Sequence, residues 1–405
     1  MQATMAAAIQ EPAQGYGGNA GNGGNGRAET LVGAQGLIAA YEHAGYRRSA
    51  PAILQPAEPF LDLSGEDIRR RMFLTTAPDG SDWCLRPDLT IPVSRDYLAS
   101  PDAGTPQGFC CIGPVFRHRG DAPWEFLQAG IESFGRTDRD AADAEMLALG
   151  LEATAHYGLD RPTVMMGDVA LFTALITALD LAPAWRRRLV KDFTRKTNLA
   201  ADLDRLVLGG NLEQPEYQGV LAALSGANPK GAHALVTDLL SIAGINAVGG
   251  RSVAEVAERF LEQAALGGGS TLPAEQRGLI ERFLAIGGDP DAAAAALRAL
   301  AGDVGLDMTA AIDLFESRTG FLAARSIDVA DIRFSTAFSR GFSYYSGLVF
   351  ELTDPAAPEA GSLVAGGRYD DLLTRLGAAT PIPAVGFAMW VERLAAYANG
   401  SREPA

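Results

Sequence analysis

The span 171–330 splits the strand signals of this chain into two groups, and that split limits the folds open to it. Between Leu171 and Asp331, Ala, Leu, Arg and Glu recur with 3.6-residue patterning and strand signals are almost absent; such patterning marks helices that bury one face. Ahead of it, Asp82–Arg86, Gly108–Phe116 and Phe126–Phe134 are rich in Phe, Ile, Val and Cys and bounded by Gly or Pro, as strands are. A short strand is expected at Thr163–Met166, and Ile332–Phe338, Phe342–Leu352 and Ala384–Met389 return to strand character after the span. Helices are expected at Glu29–Ala44, with Leu31, Leu37, Ile38 and Tyr41 on one face and Gly45 as its stop, at Asp138–Tyr157 and at Glu392–Tyr397. Strands on both sides of a helical span predict an α+β fold: one antiparallel sheet flanked by helices and interrupted by an inserted helical domain.

The ends read differently. Residues 1–27 are expected to form a disordered Gly/Asn-rich tail, because GYGGNAGNGGNG carries little apolar surface to offset the entropy of ordering it. Gly21, Gly23 and Gly26 satisfy GxGxxG, but a dinucleotide fingerprint needs a strand before it and a helix after it. Glycine repeats flank it here. The expected division is therefore a tail at 1–27, a core at 28–170 and 331–398, a helical insertion at 171–330, and a C-terminal tail at 399–405.

Charge and chemistry narrow the function. Lys and Arg total 34 against 49 Asp and Glu, a net charge of −15, which disfavours general binding to a nucleic-acid backbone. Cys84, Cys110 and Cys111 are too few and too badly spaced for a disulfide framework or CxxC metal site, and the four histidines stand singly. Buried free thiols in a cytoplasmic protein are the expectation, with no cofactor, no metal and no membrane attachment. Arg186, Arg187, Arg188, Lys191, Arg195 and Lys196 form one basic run, expected as a solvated helix face.

Four islands stand in order along the chain. They are Leu85-Arg86-Pro87-Asp88-Leu89-Thr90; Gly113-Pro114-Val115-Phe116-Arg117-His118-Arg119 with Glu125 to Glu132; Ser339-Arg340-Gly341-Phe342-Ser343-Tyr344-Tyr345 continuing through Ser346-Gly347 to Glu351; and Gly366-Gly367-Arg368-Tyr369-Asp370 with Ala384 to Leu394. Together they resemble the catalytic core of histidyl-tRNA synthetase, including motifs 2 and 3 of the class II synthetases. The likeness runs from about Glu29 to Leu394 and is weakest through the helical span.

The departures carry the functional expectation. Phosphoryl chemistry depends on cations held around developing charge. The loop Gly120-Asp121-Ala122-Pro123-Trp124 is shorter than the synthetase loop and lacks an arginine, leaving Arg117 and Arg393 at matching positions of a vestigial ATP site. Trp390 replaces a small glycine and would fill space near the adenosine pocket. The sequence extends only eleven residues past Leu394, so the expectation is a chain without an anticodon-binding domain. A synthetase-like core so altered resembles the regulatory subunit of ATP phosphoribosyltransferase. That resemblance implies a non-catalytic role in the first step of histidine biosynthesis and its feedback inhibition. Its implied partners are a short-form catalytic subunit and histidine as effector, with a homodimer inside a hetero-oligomer and no tRNA. The alternative is a truncated synthetase-like enzyme forming histidyl-adenylate.

By the same resemblance, Asp88, Thr90 and Gln128 would hold the α-amino group of histidine. Arg340 would approach its carboxylate, Glu132 and Tyr345 would face the imidazole, and Tyr344 would be a neighbouring wall. Asp88 stands where the synthetase usually has glutamate, keeping the charge with a shorter reach. Gln128 and Glu132, taken singly, fit an exposed strand face better than a site, Arg340 fits a surface ion pair, and the tyrosines fit sheet aromatics. Gly366 and Gly367 are expected to serve a tight turn.

Overall fold

The computed structural model describes residues 23–207 except 64, 121, 180, 182 and 196–198, isolated positions at 234–242, two short strands within 247–252, and residues 272–398. Residues 1–22 of the expected tail, and 399–405, lie outside the described residues. Along the chain come α1 (Gly23–His43), β1 (Arg47–Ser49), β2 (Leu54–Pro56), α2 (Glu58–Leu63), α3 (Gly65–Arg71), β3 (Phe73–Thr76), β4 (Asp82–Leu85) and α4 (Thr90–Leu98). Then follow β5 (Gln107–Phe116), β6 (Glu125–Phe134), α5 (Arg139–His156) and β7 (Thr163–Asp168). The helical span supplies α6 (Val169–Ala178), α7 (Pro183–Arg195), α8 (Leu199–Val207), a ribbon of β8 (Ala247–Val248) and β9 (Arg251–Ser252), α9 (Ala274–Leu284), β10 (Gly287–Gly288), α10 (Pro290–Val304) and α11 (Thr309–Ala324). Last are β11 (Ile332–Ser335), β12 (Leu348–Thr353), β13 (Val364–Arg368), α12 (Asp370–Arg375), β14 (Ala384–Trp390) and α13 (Val391–Ala398).

Nine strands form one sheet in the order β1-β5-β6-β14-β13-β12-β7-β11-β10, and β2-β4-β3 form a small second sheet. The large sheet is mixed rather than wholly antiparallel. β1 runs parallel to β5 and β7 parallel to β11, and in each case a long connection intervenes, which parallel neighbours require. For β7 and β11 that connection is the whole helical span. The antiparallel centre, β5-β6-β14-β13-β12-β7, carries the second and fourth islands, whereas the first lies between β4 and α4.

Three local expectations are corrected. The strand expected at Phe342–Leu352 begins only at Leu348, so the Arg340–Tyr345 segment is a loop at the sheet end. Gly366 and Gly367 lie inside β13, not in a turn; a Cβ on Gly366 would overlap the carbonyl of Gly386 on the adjoining strand. Glycine there permits close approach of two backbones. The basic run is not wholly solvated, since Arg188 Nε pairs with Asp192 at 2.8 Å and Asp202 at 2.6 Å. Burial and the neighbouring Asp202 push the Asp192 carboxyl up to about 7.

Packing explains the layers. In α1, Ala34, Leu37, Ile38 and Tyr41 are buried at helical spacing, whereas Leu31 is 43% exposed and leaves that face. Helices α6 to α11 share one continuous apolar core with the sheet: Phe172 of α6 stacks on Phe193 of α7 at 4.2 Å, and Phe315 of α11 meets Phe334 of β11 at 4.6 Å. Each such fully buried aromatic contributes about 1.5–3 kcal/mol by transfer. A second cluster joins the small sheet to the pocket end of the large one, with Tyr97 stacked on Phe134 at 4.6 Å and Tyr344 and Tyr369 among its members. Cys84, Cys110 and Cys111 are buried and free. Among the described residues, no helix is long and apolar enough to cross a membrane.

A buried charge network spans these layers. Asp143 of α5 accepts from Arg318 Nε at 2.8 Å and from Arg368 Nε at 2.7 Å. Arg318 Nη1 donates to Asp168 at 2.7 Å, Arg368 Nη1 to Asp370 at 2.9 Å, and Asp168 also caps α6 by accepting from Ala170 N. Helix α11 is thereby tied to β13, which leads directly into Tyr369.

Candidate functional site

Strand pairing builds the floor of the site. In β6, Gln128 and Glu132 fall four residues apart and so share a face; both are buried, which removes the exposed-strand explanation for them. Across β14, Glu132 faces Gly386 and Gln128 faces Trp390. The space above Gly386 is taken by the Glu132 carboxylate, which a Cβ would strike. Glycine in AVGF is thus what lets a charged side chain lie flat on the sheet.

One wall is the entry to α4. Asp88 precedes that helix, and its Oδ1 accepts from Ile91 N at 3.1 Å. Its other oxygen, Oδ2, is buried with no hydrogen-bond partner among the described residues. Gln128 Oε1 accepts from Leu89 N at 3.1 Å, and the Thr90 hydroxyl donates to Glu132. Burial raises the Asp88 carboxyl above its ordinary value, against the neighbouring Arg117 and the backbone N–H groups.

The opposite wall is the Arg340–Tyr345 loop. Ser339 Oγ anchors it by donating to Phe193 O at 2.8 Å. Tyr344 packs against Tyr345 at 4.9 Å and Tyr369 at 5.9 Å between ring centres. Burial raises the phenols of both Tyr344 and Tyr345, and each is further raised by Asp88 and Glu132 and lowered by Arg340. These five groups therefore share one electrostatic environment. Arg340 Nη1 lies 3.5 Å from Glu351, and its Nε and Nη1 are buried without a hydrogen-bond acceptor among the described residues.

The Glu132 carboxyl is strongly perturbed. Burial pushes it up to about 8, against hydrogen bonds from Thr90 and Tyr369. Tyr369 OH donates to Glu132 Oε2. Sequence reasoning assigned no role to Tyr369 or Glu351; the Arg368-Tyr369 signal was present, but the antiparallel β13–β14 pairing is what delivers the hydroxyl to Glu132.

Arg117 and Arg393 lie to one side. Arg117 Nε donates to Pro87 O at 2.6 Å, and its guanidinium sits 5.6 Å over Phe126. Arg393 Nη1 donates to Ser362 O at 2.8 Å and lies 5.5 Å over the Trp390 indole. Both are lowered first by burial, with Arg119 adding repulsion in each case. The β5–β6 turn is closed by Arg117 N donating to Trp124 O, with His118 between Phe73 and Trp124. No group of His, Cys, Asp and Glu among the described residues is placed to hold a metal.

The arrangement has a definite chemical capacity. A buried carboxylate oxygen and buried guanidinium N–H groups, both unsatisfied, stand around the same tyrosine pair. Those are the complements of an ammonium and a carboxylate, and Glu132 with Tyr369 and Tyr345 adds a polar end suited to a ring nitrogen.

Comparison with known proteins follows the same line. The family model for histidyl-tRNA synthetase matches residues 27–248 and 230–394. The chain is 41% identical over 351 residues to ATP phosphoribosyltransferase regulatory subunits of Brucella canis and Brucella ovis, covering 86% of this chain and 92% of each relative. Among solved structures, a protein described as an ATP phosphoribosyltransferase regulatory subunit/histidyl-tRNA synthetase from Bacillus halodurans superposes with a TM-score of 0.64 at 20% identity, covering 96% of this chain and 83% of that one. Histidyl-tRNA synthetase from Nostoc superposes with a TM-score of 0.61 at 18% identity, covering 93% and 74%. These two share the fold.

Proposed function

We infer a regulatory function from the premise that this chain belongs to the ATP phosphoribosyltransferase regulatory subunits, within the histidyl-tRNA synthetase family. The protein serves the first step of histidine biosynthesis as a non-catalytic subunit. It assembles with a short-form catalytic chain of ATP phosphoribosyltransferase and couples histidine binding to that chain's activity. The assembly contains a homodimer of this subunit, and the core at 28–170 and 331–398 carries the effector site.

One observation carries the effector reading: among the described residues, Asp88 Oδ2 and Arg340 Nε and Nη1 are buried without hydrogen-bond partners around Tyr344 and Tyr345. A buried polar group left unpaired costs about 1–3 kcal/mol. An α-amino acid supplies both missing partners at once, and histidine adds an imidazole for Glu132 and Tyr345. Asp88, Thr90 and Gln128 take the ammonium, Arg340 the carboxylate, and Tyr344 the flank.

The rival, an adenylate-forming enzyme, needs cations free to meet phosphate. Arg117 and Arg393 are instead tied to Pro87 O and Ser362 O, and Trp390 lies under Arg393, which favours a vestigial ATP site. The test is the activity of the short catalytic chain alone and with this chain in equal amount. Activity is expected to change on mixing. Unchanged activity, or histidine-dependent pyrophosphate exchange into ATP by this chain alone, would overturn the regulatory reading.

A further inference from the structure

Arg340 holds a second relationship that a ligand-binding role does not by itself explain. Its Nη1 is 3.5 Å from Glu351 Oε2, beyond the 2.7–2.9 Å or so of a charge-assisted hydrogen bond. Neither Nε nor Nη1 meets hydrogen-bond geometry with any acceptor among the described residues. The pair is nonetheless enclosed, with the two side chains only 12% and 25% exposed. An enclosed guanidinium is thus held by a carboxylate that is close enough to attract it but too far to satisfy it.

Glu351 is fixed from the other side. It lies in β12, opposite Ala365 of β13 and Met165 of β7. Its Oε1 accepts from Ser362 Oγ, and the Ser362 carbonyl accepts from Arg393 Nη1 at 2.8 Å. Arg393 in turn feels the Glu351 charge. Glu351 therefore stands between the cation facing the amino-acid pocket and the cation facing the vestigial ATP site.

We propose that Glu351 is an internal competitor for Arg340: it holds the guanidinium in the unliganded pocket and yields it to the α-carboxylate of the bound amino acid. This rests on the histidine reading above and adds a residue that sets affinity through Arg340 without touching the ligand. A ligand carboxylate that reaches Nε and Nη1 makes the two hydrogen bonds that Glu351 leaves unmade. The attraction between Glu351 and Arg340 must be surrendered in exchange, so the ion pair weakens binding by whatever it is worth. For a partly exposed pair that is up to about fivefold in affinity. The geometry also predicts selectivity for the carboxylate: a ligand lacking it gains nothing when Glu351 is neutralised.

The test is calorimetric titration of the full chain with L-histidine and with L-histidinol, which replaces the carboxylate by a hydroxymethyl group. Glu351→Gln keeps the length of the side chain and an acceptor for Ser362 but removes the charge. Histidine is expected to bind this variant about two- to fivefold more tightly than wild type, with histidinol affinity unchanged. Should Glu351→Gln not fold, Glu351→Asp withdraws the charge from Arg340 and is expected to tighten histidine binding in the same direction. Histidine binding that is equal or weaker in a folded variant, or a gain shared by histidinol, would overturn the competitor role while leaving the histidine pocket standing. Binding of histidine to neither wild type nor variant would overturn the pocket reading and the competitor with it.

Discussion

Asp143→Ala is expected to lower the free energy of unfolding by about 3–5 kcal/mol, the usual loss when one member of a buried ion pair is removed. Asp143 is fully buried and is the carboxylate shared by Arg318 and Arg368, each about 1% exposed. Its removal strands two guanidinium groups rather than one. Asp168 and Asp370 still hold the other ends of those arginines at 2.7 and 2.9 Å, which keeps the loss from doubling. The midpoint of urea unfolding measures it. Asp143→Asn, isosteric but neutral, should lose less, because its amide oxygen still accepts one of the two bonds. A loss below about 1 kcal/mol for the alanine variant would show that the network contributes little to stability. Arg368 immediately precedes Tyr369, so the same variants should also weaken the pocket.

Glu132→Gln is expected to change both the pH dependence of stability and the affinity for histidine. Burial holds the Glu132 carboxyl at about 8 in the folded chain, against an ordinary 4.5. The folded protein therefore keeps a proton that the unfolded chain releases above about pH 4.5. Stability from this group is fully present below that value and is lost as pH rises through about 8. Within that window the slope is about 1.4 kcal/mol per pH unit. Glutamine cannot ionise, so the variant should gain on wild type steadily from pH 5 to pH 8. Asp192, held at about 7 by burial and Asp202, adds its own slope, but it does so in both proteins and cancels in the difference. Parallel stability curves across that range would contradict the buried, proton-holding Glu132. Histidine affinity should fall about 2- to 13-fold near neutral pH, because Glu132 is there a neutral partner and a hydrogen bond between neutral groups contributes about 0.5–1.5 kcal/mol.

Much of this was legible before any coordinates. Alternation and aromatic content located the long strands β5, β6 and β14 to within a residue or two, because those strands lie at the sheet centre and bury their apolar positions on both faces. β13 was not legible: Val364-Ala365-Gly366-Gly367-Arg368 has the composition of a turn, and only the close approach of Gly386 and Leu348 explains glycine there. Helix α1 likewise begins at Gly23, inside a stretch whose composition suggested a tail. Parallel pairing of β7 with β11 joins residues on opposite sides of the helical span, a relationship that local patterning does not encode. The candidate residues Asp88, Thr90, Gln128, Glu132, Arg340, Tyr344 and Tyr345 are recognisable from their motifs, and the fold brings them near one another. Asp143 was hidden because its role arises from partners far away in sequence: Arg318 and Arg368 lie 175 and 225 residues from it.

The central claim is that this pocket senses histidine on behalf of the transferase. Its most direct test is a histidine titration of phosphoribosyl transfer by the complex of the short catalytic chain with this chain, comparing wild type with Arg340→Ala. Histidine should inhibit the wild-type complex, and the concentration needed should rise at least tenfold in the variant, while activity without histidine is retained. Equal inhibition of both complexes at the same histidine concentrations would place the effector site elsewhere and contradict the account.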